Sequence, residues 1–268
     1  MKVLRKIGDF FAAMVPFIVF WAVQLVVIIL GVLVAIAEEM MVISALPESI
    51  SDESADIIIL LSYVVCLIVA IGEMKIHRFS FKDISPVKQN GKVYIMAVIF
   101  GLGAFFVFKF LNSLSLQIAG ITETRSGQEM VGVYLIITLL TNLIEPFMEE
   151  LVFRGLMVKT FEKRFPVWFS AAAITLSFLL LHSENFKCFL LLFGAALIFV
   201  RYKFGDLRLC ILIHLAVNLA SSVMLFVSDE YYSTAINIGA AVGIVFAAAG
   251  MFFMLRFASK PAEALEKT

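Results

Sequence analysis

Hydrophobic residues in this chain occur in long continuous runs separated by short polar segments, without the alternation of a half-buried strand. A helix needs about 20 apolar residues to cross the hydrocarbon core of a bilayer. The runs therefore predict an all-α, polytopic membrane protein with about eight transmembrane helices. The predicted spans are 10–37, 57–72, 93–111, 130–158, 166–182, 187–203, 208–227 and 232–256.

Composition supports this interpretation and excludes a cytosolic enzyme. The chain is 62% hydrophobic and 16% charged, whereas soluble domains are roughly 45–50% apolar and 25% charged. Its three cysteines, Cys66, Cys188 and Cys210, have neither a disulfide framework nor a metal-binding spacing. The first span is too long for a signal peptide, so we expect a retained anchor. Without a repeat or a linker, residues 1–268 are interpreted as a single domain.

The distribution of basic residues predicts the orientation. Lys plus Arg and Asp plus Glu both number 21, so the zero net charge gives no basic footprint for nucleic acid. With eight alternating spans, 17 of the 21 basic residues fall on the side of both termini, which predicts cytoplasmic termini. The opposite side carries the acidic loop 47–56 and the polar segment 112–129.

The fourth predicted span contains four ionisable residues: Glu145, Glu149, Glu150 and Arg154. Each would cost roughly 2.5–3.5 kcal/mol at the membrane centre without a partner. Glu150 and Arg154 are four residues apart with the glutamate first, which is the favourable order for a helical salt bridge. We therefore predict that Glu150 and Arg154 form a structural ion pair.

The other two glutamates of this span, Glu145 and Glu149, lie on a different side of the helix from the ion pair. Glu149 lies about 100° around the helix from Glu150, while Glu145 lies one turn before Glu149 on about the same face. Pro146 removes a backbone hydrogen bond and tends to kink a helix, and the freed polar groups usually line a cavity. The pattern predicts a wet pocket beside Glu149, with Glu145 either a second acid of that cavity or a partner for another helix.

Two histidines also lie within predicted spans. Phe178 and His182 are four residues apart, as are His214 and Asn218, so each pair shares one helix face. Counted from the cytoplasmic ends, Glu149 and Asn218 lie about 15 Å deep and His214 about 9 Å deep, so these three side chains can meet. His182 lies at about 24 Å, and it joins them only if its helix tilts or begins below the interface.

These residues resemble the motifs of a known family. Glu149-Glu150-x-x-x-Arg154-Gly155, Phe178-x-x-x-His182 and His214-x-x-x-Asn218 lie in order on successive spans, within a motif core of 145–218. The pattern is similar to that of the CPBP family of intramembrane peptidases, which groups CAAX prenyl endopeptidases with bacterial Abi proteins of bacteriocin processing and self-immunity. Glu145 departs from it, because the residue before the proline is usually small in that family.

The resemblance implies roles for these residues. Glu149 and His182 would activate water, and His214 and Asn218 would hold the oxyanion, where each donor is worth roughly 3 kcal/mol. No cofactor is implied. A zinc ion held by Glu149, His182 and His214 is the alternative, although the sequence has no His-Glu-x-x-His motif.

The sequence thus favours a glutamate-type intramembrane endopeptidase, opening toward the cytoplasmic half of a bilayer, most simply a bacterial plasma membrane. Its substrate would be a membrane-associated or lipidated peptide or protein, such as a CAAX-type protein or a bacteriocin or pheromone precursor. A non-proteolytic immunity or scaffold protein is the first alternative, and a transporter is the second. The identity of the substrate and the oligomeric state stay open.

Overall fold

The computed structural model describes residues 2–40, 49–120, 133–182 and 188–259, and these residues form helices joined by short connections. The predicted all-α, polytopic membrane architecture is confirmed, and each predicted span coincides with a helix. The α-helices are α1 (Lys2–Met40), α2 (Ser49–Ile76), α3 (Phe81–Ile84), α4 (Gly91–Ile118), α5 (Val133–Glu150), α6 (Val158–Glu162), α7 (Val167–Leu181), α8 (Cys188–Phe204), α9 (Leu207–Met224) and α10 (Asp229–Phe257).

Five of these helices are long and apolar enough to cross a membrane by length and composition. They contain the segments Leu4–Gly31, Ile57–Ile76, Gly91–Ile118, Leu207–Met224 and Glu230–Phe257. The other three predicted spans correspond to α5, α7 and α8, which are shorter or carry charged residues. Parts of the predicted loops 47–56 and 112–129, and Lys187, lie outside the described residues.

The fourth span is a continuous helix that changes type along its length. α5 leads into a π-helical segment at Leu151–Met157, and α6 follows directly. Pro146 lies inside α5, so the change of helix type falls after the proline and not at the position where we predicted a kink. Within the π-helical segment, the carbonyl of Arg154 accepts a hydrogen bond from Arg201 Nε at 2.8 Å.

Small residues let α4 and α10 pack closely. A Cβ atom added to Gly103 would lie 2.5 Å from both the Ala247 nitrogen and the Gly243 oxygen. A Cβ on Gly250 would come within 2.7 Å of the Phe100 nitrogen. Such close backbone approach is typical of packing between membrane helices, where van der Waals contact drives association. α4 also packs against α9, so α4 supports one wall of the site.

The buried Asp206 connects several helices by hydrogen bonds at one end of the bundle. The Asp206 carboxylate accepts hydrogen bonds from Arg208 Nε at 2.7 Å, the Tyr94 hydroxyl at 2.6 Å and the Ser85 hydroxyl at 2.9 Å. Burial alone would raise the pKa of Asp206, but these hydrogen bonds outweigh it and lower the pKa. The starts of α4 and α9 are thereby tied to the connection between α3 and α4.

Candidate active site

A cavity of about 260 Å³ lies between α4, α5, α8, α9 and the end of α7. One part of its wall is aromatic and consists of Phe105, Phe108, Phe178, Phe189 and Phe193. The polar side chains that line it are Lys109, Asn112, Asn142, Glu145, His182, His214, Asn218 and Ser221. Three of the four predicted catalytic residues, His182, His214 and Asn218, therefore share one space, and Glu149 is absent from its lining.

The cavity lies toward the end of the bundle that is remote from Asp206. On α4 and α9, which run in the same direction, its lining residues lie at 105–112 and 214–221, past the first two turns of each helix. His182 directly follows the last residue of α7. We predicted an opening on the side of the basic loops. The lining residues lie toward the opposite helix ends, and the direction in which the cavity opens stays a prediction.

The same geometry explains how His182 and His214 line one cavity although we predicted different depths for them. α7 has 15 residues, which corresponds to about 22 Å, so His182 at its end reaches the level of the cavity. Counting the depth of each helix from a common surface misplaced His182 relative to His214. The two histidine rings instead flank Phe178, whose ring centroid lies 4.6 Å from that of His182 and 6.1 Å from that of His214.

The hydrogen bond of His182 fixes its tautomer. His182 Nδ1 lies 2.9 Å from the carbonyl oxygen of Phe178. A carbonyl only accepts, so Nδ1 must carry the proton and donate. In the neutral ring, Nε2 is then left with a lone pair. His182 therefore presents a hydrogen-bond acceptor, as a residue that orients or deprotonates water requires.

Glu150 joins the ion pair to the second histidine. Its Oε1 accepts from Arg154 Nη1 at 2.9 Å, and both side chains are fully buried. The same oxygen lies 2.9 Å from His214 Nδ1. Glu150 therefore does more than neutralise Arg154, because it also holds the imidazole ring of His214 by one nitrogen. The other nitrogen, Nε2, is left for the cavity.

Arg154 and Phe178 complete the wall behind the histidines. The Arg154 guanidinium lies 4.4 Å from the centroid of the Phe178 ring, within the range of a cation–π interaction. Arg154 Nη2 also donates to the carbonyl of Gly194 at 3.3 Å. Phe178 thus packs between a buried cation and the histidines, which explains why an aromatic residue is suited to this position.

Glu145 is the carboxylate that lines the cavity. Its Oε1 accepts from the hydroxyl of Tyr63 on α2 at 2.6 Å, and its Oε2 lies 3.5 Å from Asn218 Nδ2 on α9. Glu145 was predicted as a second acid of the cavity or as a partner for another helix. The structure gives it both positions, since it faces the histidines and also contacts two neighbouring helices.

Glu149 borders a different space. It is 4% exposed, and it lines a cavity of about 150 Å³ formed with α1, α2 and the end of α7. The other residues of that lining are Phe20, Trp21, Gln24, Leu25, Ile28, Tyr63 and Leu181. Among the described residues, Glu149 Oε2 has no hydrogen-bond partner. Glu149 is therefore not among the residues that line the cavity of His214 and Asn218, and the meeting of the three side chains that helical depth suggested stays a prediction.

A comparison with protein families finds a match over part of the chain. Residues 131–220 match the model of the family described as type II CAAX prenyl endopeptidase Rce1-like. The resemblance to the CPBP family is confirmed. The match includes every motif position from Glu145 to Asn218, and it covers about a third of the 268 residues. No curated protein and no solved structure shows significant similarity to the chain.

The matched segment does not bring together the zinc ligands that we considered. Among the described residues, no group of three or more His, Cys, Asp or Glu side chains is placed to hold a metal ion. Glu149 borders a different cavity from His182 and His214, and His214 Nδ1 is engaged by Glu150. The donor set Glu149, His182 and His214 therefore does not fit a metal in this arrangement.

Several further polar residues at the site were not predicted from the sequence. The cavity lining also includes Lys109, Asn112, Asn142 and Ser221. Beside the cavity, Tyr63 contacts Glu145, and Asn142 Nδ2 donates to the hydroxyl of Ser222 at 2.6 Å. A tyrosine within an apolar span signals a need for a hydrogen-bond partner, because its hydroxyl rarely stays unpaired when buried. Nothing in the sequence indicates which partner Tyr63 takes, since Glu145 lies 82 residues away.

Proposed function

We propose that this protein is an intramembrane endopeptidase that hydrolyses a peptide bond in a membrane-associated or lipidated peptide or protein. The supporting observation is that His182, His214 and Asn218 line one cavity together with a carboxylate of α5, within the segment that matches an endopeptidase family. The aromatic wall of that cavity suits an apolar peptide segment or a lipid chain. CAAX-type proteins and bacteriocin or pheromone precursors are the substrate classes that we propose.

In the proposed reaction, water is activated beside His182. The lone pair of Nε2 accepts a hydrogen bond from the water, and a carboxylate of α5 takes its proton as the oxygen attacks the carbonyl carbon. The family pattern assigns that carboxylate to Glu149, and we retain Glu149 as a catalytic candidate on this ground. Glu149 Oε2 is buried and has no hydrogen-bond partner within the described part of the chain, so it is free to accept a proton in such a role.

His214 and Asn218 would stabilise the oxyanion of the tetrahedral intermediate. Asn218 can donate through Nδ2. His214 donates Nδ1–H to Glu150, and a second N–H, on Nε2, would donate to the oxyanion. Donors that are already in place when charge develops are often the largest single contribution to such catalysis.

The test of the proposed function is proteolysis by the purified protein in liposomes. We expect cleavage of a quenched fluorescent lipopeptide, detected by product mass. His182→Ala and Asn218→Ala should each lower kcat by about 10²–10⁴-fold. Ser115→Ala on α4 is a matched control, because that exposed hydroxyl donates to the Leu111 carbonyl of its own helix and Ser115 lies outside the cavity lining. Cleavage that is equally fast in the His182 and Asn218 variants would contradict the peptidase and favour the immunity or scaffold function.

We also propose a bacterial plasma membrane location with both termini in the cytoplasm, because 17 of 21 basic residues lie on that side. Reporter fusions after residues near 85, 163, 205 and 262 should then report cytoplasm, and fusions near 52, 120 and 230 should report the outside. In this orientation the cavity lies in the outer half of the bilayer. A consistent inversion of the reporter signals would refute the orientation and move the cavity to the cytoplasmic half.

A further inference from the structure

Glu145 and Asn142 on α5 contact α9 beside the cavity. Glu145 Oε2 lies 3.5 Å from Asn218 Nδ2. Three residues earlier on α5, Asn142 Nδ2 donates to the hydroxyl of Ser222 at 2.6 Å, and that hydroxyl donates to the carbonyl oxygen of Asn218 at 3.0 Å. Residues of α5 therefore contact Asn218, a proposed oxyanion donor, directly at its side chain and through Ser222 at its backbone.

These contacts continue the one between Glu150 and His214. Along α5 the contacting positions fall from 150 to 145 and 142, while on α9 they rise from 214 to 218 and 222, as expected for antiparallel neighbouring helices. Eight residues on each helix correspond to about 12 Å. The three contacts therefore fix the position of α9 along α5 over about two turns, and this position sets where His214 and Asn218 stand in the cavity.

We propose that Glu145 is a positioning residue for Asn218, and that Tyr63 of α2 holds Glu145 in place for this purpose. The proposal rests on the proposed peptidase function, in which Asn218 donates to the oxyanion. An ionised carboxylate accepts hydrogen bonds and cannot donate, so Glu145 requires the Nδ2 end of the amide to face it. Of the two N–H groups on Nδ2, one is then directed to Glu145 and the other is left for the oxyanion.

Tyr63 supplies the anchor for this arrangement. Its hydroxyl donates to Glu145 Oε1 at 2.6 Å, a distance typical of a hydrogen bond from a hydroxyl to an ionised carboxylate. A tyrosine side chain rotates about only two bonds, so its hydroxyl has a well-defined position. With Oε1 held from α2, Oε2 is the oxygen that meets α9. A chain of contacts from α2 through α5 to α9 therefore ends on an oxyanion donor.

This role differs from that of the carboxylate that activates water, for which Glu149 stays the candidate. Glu145 exchanges no proton during the reaction, and its effect passes through Asn218. An uncharged side chain that can still accept a hydrogen bond should therefore replace Glu145. Its removal should matter to the reaction only while Asn218 is present.

The test compares variants in the liposome assay. Glu145→Leu has a similar size and cannot accept a hydrogen bond, so kcat should fall by about 10–100-fold with little change in KM, because a misplacement of about 1 Å can cost about 100-fold. Glu145→Gln retains an oxygen that accepts from Asn218, so kcat should stay within about threefold of wild type. Tyr63→Phe should lower kcat by about fivefold, the typical effect of one hydrogen bond.

Tyr94→Phe is the matched control for the loss of a tyrosine hydroxyl. The Tyr94 hydroxyl also donates to a carboxylate at 2.6 Å, that of Asp206, and Tyr94 lies outside the cavity lining. Its kcat per folded protein should match that of wild type. Membrane abundance and melting temperature show whether each variant folds. Because Glu145→Leu strands the Tyr63 hydroxyl, the double variant with Tyr63→Phe replaces it where the single variant does not fold.

Coupling to Asn218 separates positioning from a general structural role. In an Asn218→Ala background, Glu145→Leu and Tyr63→Phe should lower kcat no further. Multiplicative losses in that background, or normal kcat of folded Glu145→Leu, would overturn the proposal. Equal inactivity of folded Glu145→Gln and Glu145→Leu would also overturn it, because the reaction would then need the charge of the acid. In these outcomes wild type still cleaves and the proposed function stands, whereas a wild type that does not cleave refutes both.

Discussion

Replacing Glu150 with glutamine is expected to lower the free energy of unfolding by about 3–5 kcal/mol, because breaking a buried ion pair from one side leaves the other charge uncompensated. Arg154 and Glu150 are both fully buried and 2.9 Å apart. The hydrogen bond from Arg154 to the Gly194 carbonyl does not replace the lost charge. The measurement is thermal unfolding in detergent together with abundance in the membrane.

The partner variant provides the control for this prediction. Arg154→Gln in the Glu150→Gln background removes both charges, so part of the lost stability should return, and a double-mutant cycle measures the coupling. Additive losses in the two single variants would contradict a specific ion pair. In Glu150→Gln, kcat should fall by more than the loss of folded protein explains, because His214 loses the carboxylate that holds its Nδ1.

Replacing His214 with phenylalanine is expected to reduce kcat by about 10²–10³-fold, the typical effect of removing one oxyanion donor. The phenyl ring fills much of the same volume between Phe178 and Phe193, so the fold should be retained. Steady-state kinetics in liposomes measure the effect, and KM should change little. Cys210→Ala, one turn earlier on α9, is fully buried outside the cavity lining and controls for a general disturbance of the helix.

The effects of Glu150→Gln and His214→Phe on kcat should not be independent. If Glu150 acts through His214, adding Glu150→Gln to His214→Phe should lower kcat no further once the folded fraction is taken into account. Multiplicative losses would mean that Glu150 affects the reaction by a route other than His214. A His214→Phe variant with normal kcat would remove His214 from the oxyanion site.

Local spacing predicted the parts of the site that depend on one helix alone. The pair Glu150 and Arg154 spans four residues, and the helix itself brings the two side chains together. The grouping of Phe178 with His182 follows from the same spacing and needs only the end of α7. Spans were predictable for a similar reason, because lipid forces the backbone of each apolar run to satisfy its own hydrogen bonds.

Contacts between helices could not be read in the same way. His214 meets Glu150 over a separation of 64 residues, and Tyr63 meets Glu145 over 82. Their distances depend on how α2, α5 and α9 are shifted along one another. Depth counted from a membrane surface fixes this shift only to within several residues, which is comparable to the one turn that separates Glu145 from Glu149.

The helical membrane architecture, the family resemblance and the candidate residues could be predicted from the sequence, because apolar length and helical periodicity are local properties of the chain. The packing of the helices was needed to show which acid of α5 lines the cavity of the histidines and toward which end of the bundle that cavity lies. Glu145 and Glu149 differ by about 40° and 6 Å on one helix. Glu149 lines a cavity with residues of α1 and α2. Glu145, one turn earlier, lines a cavity with residues of α4, α8 and α9.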